Sequence, residues 1–333
     1  MSTDLTAEGP SLSVKAPRGL ARSFDPAVLI DEWQEEMQER VAAGEISPNT
    51  ATTYARGMAK FWTWYMGQDT YKSVGPRAVR SWIASMRRDG RKPAGVNVLY
   101  AGVRAFFRWA VAERGLAYNP TLTTRGAKRT SGRHKRDPLS DAEVLRVLAQ
   151  PDTSTDAGKR TRAMLCLMAY TGARTIEVQR ARVGDLRSNG KLKLYVRGKG
   201  HEDADEVLYL VHPDLVAAMY DWLAVHPHGG DSDAALFCGL GRRNKGGALT
   251  TRWIRGIVKD AYRKAGVRDP RKTTHSLRHA LVTNLIRHGV PPTKIMTVTR
   301  HRSLDTLLAY AHEVDRDDDP AEAYVDYTNG GQP

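Results

Sequence analysis

From Leu122 to Asp137 the chain carries almost no large apolar side chain, so one continuous hydrophobic core cannot run through this stretch. It follows Asn119-Pro120, stops at Pro138 and is strongly basic, with Arg125, Lys128, Arg129, Arg133, His134, Lys135 and Arg136. Residues 119–137 therefore read as a basic linker. A chain of 333 residues also exceeds what one domain usually holds. The sequence predicts a tail over residues 1–23, without periodicity and mixing Ser, Gly, Pro and charge, then domains over 24–118 and 138–333.

The first domain reads as four helices. Ile30, Trp33, Met37 and Val41 recur at helical spacing behind Pro26, which a first turn tolerates. Ser47-Pro48 supplies a cap and a preset first turn for the stripe Ala51, Tyr54, Met58, Phe61 and Tyr65. A third helix is expected over Arg77 to Arg88. A fourth carries Val96, Leu99, Val103, Phe106 and Ala110 and ends at Gly115.

The second domain opens on Ser140-Asp141-Ala142-Glu143, a capping-box pattern. An apolar helix over Arg162 to Tyr170 stops at Gly172 and contains Cys166, which reads as a core residue. Leu192, Leu194 and Val196 alternate with Lys193, Tyr195 and Arg197, and Val207 to Val211 reads as the hairpin partner. The rest is helical: Pro213 to Val225, Thr250 to Ala265, Ser276 to His288, a short piece after Pro291-Pro292, and Leu304 to His312. The fold class expected is mainly α with a small antiparallel β-sheet.

The formal net charge of +14 and its clustering point to a polyanionic partner, with nucleic acid first. Arg87, Arg88, Arg91 and Lys92 crowd one connection and read as phosphate contacts; the linker residues Arg125, Lys128, Arg129, Arg133, Lys135 and Arg136 read the same way. Two domains tied by a basic strap suit a clamp around a duplex. No apolar run reaches the roughly 18 residues of a membrane span, and no signal-peptide stretch opens the sequence, so a soluble, cytoplasmic protein is expected. Only Cys166 and Cys238 are present, which indicates neither a disulfide framework nor a zinc site.

Four patterns in the second domain carry chemistry. In Thr171-Gly172-Ala173-Arg174-Thr175-Ile176-Glu177 a glycine ends one helix and an arginine enters the next, a placement suited to an anion, though Arg174 and Glu177 also have the spacing of a simple helix ion pair. Arg197-Gly198-Lys199-Gly200 holds a lysine in a hairpin turn and lacks the phosphate-loop signature. In His275-Ser276-Leu277-Arg278-His279, residues 275 and 278 share one side of a helix start. Metal binding by His275 and His279 is the rival reading, disfavoured by the arginine between them. The last pattern runs from Thr299-Arg300-His301 to Tyr310, with Tyr310 on its own most readily a core or interface residue.

In this order and with these gaps, the four patterns resemble the tyrosine recombinase family, also called the phage integrase family. The resemblance spans nearly the whole chain: residues 24–118 look like the helical, SAM-like core-binding domain and 138–333 like the catalytic domain with its C-terminal packing tail. It implies Arg174 as the first family arginine with Glu177 as its acidic companion, and Lys199 as the hairpin lysine. His275 and Arg278 match the HxxR pair, His301 the later His or Trp position, and Tyr310 the nucleophile, nine residues beyond. Many members carry Leu-Gly before the later histidine, whereas this chain carries Thr299-Arg300, which makes Arg300 a further candidate phosphate contact.

The implied activity is site-specific recombination through a 3′-phosphotyrosyl intermediate, as integration and excision of a mobile element or resolution of a plasmid or chromosome dimer. Arg174 and Arg278 stabilise the transition state, Lys199 acts as general acid, His275 as acid or base, and His301 as a further phosphate donor. Bond energy stays in the covalent intermediate, so no cofactor is implied, and the two guanidinium groups make a metal unnecessary. The implied partners are double-stranded recombination sites, a homotetramer in the synaptic complex with a monomer free in solution, accessory proteins, and no membrane. A cytoplasmic, nucleoid-associated place in a prokaryotic, phage or mobile-element setting goes with that reading. About 23 residues before the first helix are too few for the arm-binding domain of larger phage integrases. A type IB topoisomerase and a non-catalytic DNA-binding regulator are the competing classes.

Overall fold

The computed structural model describes residues 26–70, 73–128, 138–197 and 204–300, together with Leu304 and Leu307. The tail over 1–23, Arg129, Arg133, Lys135, Arg136, Lys199, His301, Tyr310 and the C-terminal packing tail lie outside the described residues. The chain divides into two compact units, residues 1–131 and 132–333. Among the described residues the architecture is mainly helical with one small sheet, and no helix is long and apolar enough to cross a membrane.

The first unit holds α1 (Pro26–Ala42), α2 (Pro48–Met66), α3 (Pro76–Arg88) and α4 (Pro93–Arg114). Its helix starts lie where local chemistry puts them. Pro48 occupies the first turn of α2, and the Ser47 hydroxyl accepts from the Thr50 amide at 3.2 Å. Gly115 closes α4 in the left-handed region, with φ 65°. The core is aromatic: Trp33 meets Phe106 edge to face at 5.5 Å, and Phe61 meets Trp82 in the same way at 5.2 Å.

Two glycines that the periodicity does not single out let α2 and α4 cross closely. A Cβ on Gly57 would stand 2.3 Å from the Leu99 carbonyl oxygen, and one on Gly102 would stand 2.3 Å from that of Tyr54. Beyond α4, residues 119–128 also pack onto the unit. The buried Tyr100 hydroxyl donates to the carbonyls of Thr121 and Thr124, and Asn97 donates to that of Ala127. This segment holds its place through polar bonds, which is why its shortage of apolar residues reads as a linker.

The second unit is built around α6 (Asp156–Thr171), whose residues Ala163 to Met168 are buried without interruption. Cys166 is among them, and burial pushes its thiol up to about 11. The helix starts earlier than the apolar run suggests. The Thr155 hydroxyl caps it by accepting from the Gly158 amide at 3.0 Å, so its polar first turn needs no apolar stripe. Around it lie α5 (Asp141–Leu148), α7 (Thr175–Arg180), α8 (Pro213–Leu223), α9 (Thr251–Lys264), α10 (Thr274–Arg287) and α11 (Pro292–Thr299).

Strands β1 (Leu186–Asn189), β2 (Lys191–Val196) and β3 (Glu206–Leu210) form an antiparallel sheet in that order. Leu192, Leu194 and Val196 face inward opposite Leu210, Leu208 and Glu206. The sequence alternation finds β2 and β3 but not β1, whose Arg187, Ser188 and Asn189 are exposed on an edge with no apolar row. A small satellite core joins Val282, Ile295 and Leu307, seating Leu307 and α11 against α10.

Long-range ion pairing ties the start of α5 to the approach of α10. Glu143 completes the capping box at Ser140, and its carboxylate oxygens accept from the Lys272 ammonium at 2.7 and 2.6 Å. Burial pushes the Glu143 carboxyl up, but the Lys272 ammonium and the Ser140 amide outweigh it and hold the group below the usual carboxylate range.

Two stability predictions follow from these contacts. Gly102→Ala forces backbone apart at the α2–α4 crossing and should cost about 1–3 kcal/mol in urea unfolding; an unchanged midpoint would mean that the crossing is not tight. Glu143→Gln should cost about 1–3 kcal/mol at neutral pH. Because the folded carboxyl titrates below its unfolded value, that contribution is present above the ordinary carboxylate range and fades as pH falls through the lowered folded pKa. Thermal midpoints of wild type and variant should therefore converge in acid, and a gap independent of pH would contradict the assignment.

Candidate active site

The second unit brings residues from α7, β3, α10 and the end of α11 into one charged cluster. Its first member is set by the α6–α7 corner. Gly172 ends α6 in the left-handed region with φ 64°, and a Cβ there would also stand 3.3 Å from the Arg278 Cγ. Glycine thus meets two demands, a backbone turn and room for a neighbouring arginine. Two residues on, Arg174 caps α7. Its backbone amide donates to Glu177 Oε2 at 2.8 Å and its Nη1 to Glu177 Oε1 at 2.6 Å.

Arg278 approaches from α10, and its start is anchored twice. The Tyr262 hydroxyl donates to the Thr273 carbonyl at 3.0 Å, and Thr175 Oγ1 donates to Thr274 Oγ1 at 3.2 Å. The latter joins the first turns of α7 and α10 beside Arg174 and His275. His275 is half-buried in that first turn. One turn later the buried Arg278 donates from Nη1 to the Gly172 carbonyl at 2.8 Å and from Nη2 to the Thr299 carbonyl.

The end of α11 completes the arrangement. Arg174 Nη2 donates to the Arg300 carbonyl at 3.1 Å, so adjacent carbonyls, Thr299 and Arg300, receive the two arginines predicted to act on phosphate. A helix C-terminus suits this role, because its last carbonyls lack intrahelical donors and carry partial negative charge. The Arg174 side chain remains 27% exposed, while that of Glu177 is fully buried. Arg174 and Glu177 thus do form the ion pair their spacing suggested, but as part of a larger network.

Arg300 corrects one expectation. The side chain foreseen as a phosphate contact is only 8% exposed and points inward, donating from Nη2 to Glu177 Oε2 at 2.6 Å and pairing with Glu206 Oε2 at 3.0 Å. Burial lowers the Arg300 pKa, Glu177 opposes that shift, and the nearby Arg174 adds to it. The guanidinium nevertheless stays protonated, as arginine does in proteins.

Sequence reasoning passed over Glu206. Its signal was the strand register: it stands opposite the buried Val196, so its carboxyl begins the inward row of the hairpin, where an acid demands a cationic partner. Arg197, next to that row, pairs with Asp185 at 2.6 Å.

The predicted DNA contacts that are described all lie on the surface. Arg87, Arg88, Arg91 and Lys92 are exposed where α3 turns into α4, with Arg87 Nη1 donating to the Arg91 carbonyl at 2.6 Å, and Arg125 and Lys128 are exposed on the segment packed along α4. A further basic surface escaped the sequence reading: Arg242, Arg243 and Lys245 in a loop, and Arg252, Arg255 and Lys259 on α9. Helical spacing distributes the latter among apolar residues, which hides them in a linear scan. A groove of about 660 Å³ between α9 and the start of α6 is lined by Trp253, Ile257 and Asp260, and none of the cluster's arginines or carboxylates lines it.

Comparison with known proteins bears on the family and the fold. Residues 138–316 match the model of the phage integrase family, and residues 30–114 match the phage integrase N-terminal SAM-like domain. The chain is 28% identical over 302 residues to tyrosine recombinase XerC of Rhodospirillum centenum, covering 88% of this chain and 84% of that relative. Its fold resembles that of the XerH site-specific recombinase bound to a palindromic difH substrate in a post-cleavage complex, with a TM-score of 0.69 at 20% identity, covering 88% of this chain and 84% of the other. It also resembles a lambda integrase tetramer bound to a Holliday junction, with a TM-score of 0.63 at 16% identity and coverages of 90% and 84%. With its catalytic-domain match spanning more than half of its length and enclosing the arginine cluster, the chain belongs to the phage integrase family of tyrosine recombinases.

Proposed function

We propose that this site-specific recombinase cuts DNA by attack of the Tyr310 phenol oxygen on a backbone phosphate, with Arg174 and Arg278 stabilising the transition state. The observation that carries this reading is the anchoring of both arginines on adjacent carbonyls at the end of α11. Donors fixed before substrate arrives need no rearrangement as charge develops on the phosphate oxygens. Family membership favours this activity over DNA relaxation by a type IB topoisomerase and over a non-catalytic regulator.

In the proposed step a bond forms between Tyr310 Oη and phosphorus while the bond to the 5′-oxygen breaks. The leaving oxygen takes a proton from Lys199, and the phenol passes its own to His275. His301 adds a donor to the phosphate, and Glu177 holds Arg174. A 5′-hydroxyl from a second strand then attacks the 3′-phosphotyrosyl bond and releases the tyrosine, so the exchange needs no energy source. Free tyrosine has a pKa near 10, which makes the cationic surroundings part of the activation.

Exchange between two duplexes requires four such sites, and a homotetramer assembled on two DNA sites from monomers in solution supplies them. The tetrameric lambda integrase on a Holliday junction supports that assembly by likeness of fold. Both units engage the duplex, with Arg87, Arg88, Arg91, Lys92, Arg125 and Lys128, and Arg129, Arg133, Lys135 and Arg136 beyond them, as phosphate contacts. Integration and excision of a mobile element, or resolution of a dimer, are the roles proposed, with accessory proteins setting direction.

The test begins by sequencing the DNA that flanks the reading frame for paired inverted repeats, then offers them to purified protein as nicked suicide substrates. Tyr310→Phe should bind such a duplex and trap no covalent complex; a trapped complex with that variant would refute the nucleophile. Arg278→Lys keeps the charge but cannot reach two carbonyls at once, and cleavage should fall roughly 100- to 1,000-fold. A cleavage rate equal to wild type would remove Arg278 from the chemistry. Alanine at Arg87, Arg88, Arg91 or Lys92 should weaken binding on all sequences and reduce the slope of log affinity against log salt by about 1 for each phosphate that the variant no longer neutralises; unchanged slopes would take those residues off the DNA.

A further inference from the structure

Arg300 occupies a backbone position that costs it energy. Among the described residues it is the one non-glycine residue with positive φ, at 55° and ψ 44°, a left-handed helix cap that glycine takes without steric penalty. Its guanidinium is nonetheless buried, between the carboxylates of Glu177 and Glu206, and both of those also face Arg174, at 2.6 and 4.0 Å. A strained backbone supporting a buried ion cluster calls for a reason.

The reason lies in charge. Glu177 is fully buried and Glu206 is 26% exposed, so water screens neither well, and both stand beside the arginine that is to meet a DNA phosphate. Arg174 and Arg278 carry +2 and the two carboxylates −2, which leaves these four groups with no net charge toward an anion. Adding Arg300 makes the sum +3 − 2 = +1. Arg300 cannot supply that attraction by touching DNA itself, since its side chain is 8% exposed and committed to the carboxylates.

We propose that Arg300 is a positioning residue of the cleavage reaction, whose buried guanidinium neutralises Glu177 and Glu206 so that Glu177 can hold Arg174 in place without cancelling its charge toward the phosphate. This rests on the reading that Arg174 binds the scissile phosphate. It assigns Glu206 a role as well: the carboxylate that Arg300 has to offset. Charge and geometry are then set by different residues, with Glu177 orienting Arg174 and Arg300 restoring the field.

The test measures covalent-complex formation by full-length protein on a nicked suicide duplex, whose site is selected by the wild-type protein from a randomised duplex library. Arg300→Gly relieves the left-handed strain, so the fold should hold, while cleavage should fall roughly 10- to 100-fold. Adding Glu206→Gln to that variant should restore cleavage to within about 3-fold of wild type, because the unmatched carboxylate is gone. A merely structural role predicts no such rescue. Arg300→Met, which keeps the buried stem, replaces the glycine variant if the latter does not fold, and the same rescue is expected.

Uncharged variants that cleave like wild type, or a loss that Glu206→Gln leaves untouched in a protein melting at the wild-type temperature, would overturn the proposal. Failure of the wild-type protein to form any covalent complex on the selected site would instead overturn the phosphotyrosyl reading on which it rests.

Discussion

Gathering three guanidinium groups in one place is the physical problem that the second unit solves. Like charges this close repel, and they are tolerated only where hydrogen-bond acceptors and opposite charges offset the repulsion and the loss of water. The end of α11 supplies two of those acceptors in succession, the Thr299 carbonyl for Arg278 and the Arg300 carbonyl for Arg174. The Gly172 carbonyl adds a third at the end of α6, and Glu177 and Glu206 supply the opposite charge. Two helix C-termini thus aim their partially negative ends at the same cluster. Donors held in this way are oriented in advance, the condition under which electrostatic stabilisation of an anion is most effective.

The rest of the unit keeps those helix ends in register. The buried run of α6 fixes where Gly172 falls, and the hydroxyl pair between Thr175 and Thr274 locks the starts of α7 and α10 together. Glu143 and Lys272 tie α5 to the segment leading into α10, and Tyr262 adds a bond to the Thr273 carbonyl. The satellite core of Val282, Ile295 and Leu307 holds α11 against α10. Each contact is modest alone. Together they fix the register of the elements that carry the cluster, the kind of support that a positioned site requires.

Much of the fold was legible from residues close together in the chain. Ser47-Pro48, Ser140 with Glu143, and Gly115 and Gly172 mark helix ends through bonds and φ angles that span a few residues, and the structure has each of them in that role. The alternation over Leu192 to Val196 was sufficient for β2. Local signals failed where local chemistry is weak: β1 has no apolar row, the first turn of α6 is polar, and residues 119–128 are held by hydrogen bonds from Tyr100 and Asn97. Gly57 and Gly102 carried no message until the α2–α4 crossing showed what their missing side chains permit.

The sequence by itself marked several helix ends and the cationic character, and, through the resemblance that its motifs carry, it put forward Arg174, Glu177, His275 and Arg278 as candidates, because these are written in spacing and residue type. Only the tertiary structure decided who holds whom. Arg300 and Glu206 lie 94 positions apart, and nothing in either neighbourhood announces that they pair at 3.0 Å. Periodicity reports which face of an element is apolar. It does not report which charged groups are brought out of water together, and that pairing is settled by the balance between desolvation and attraction once the helices have packed.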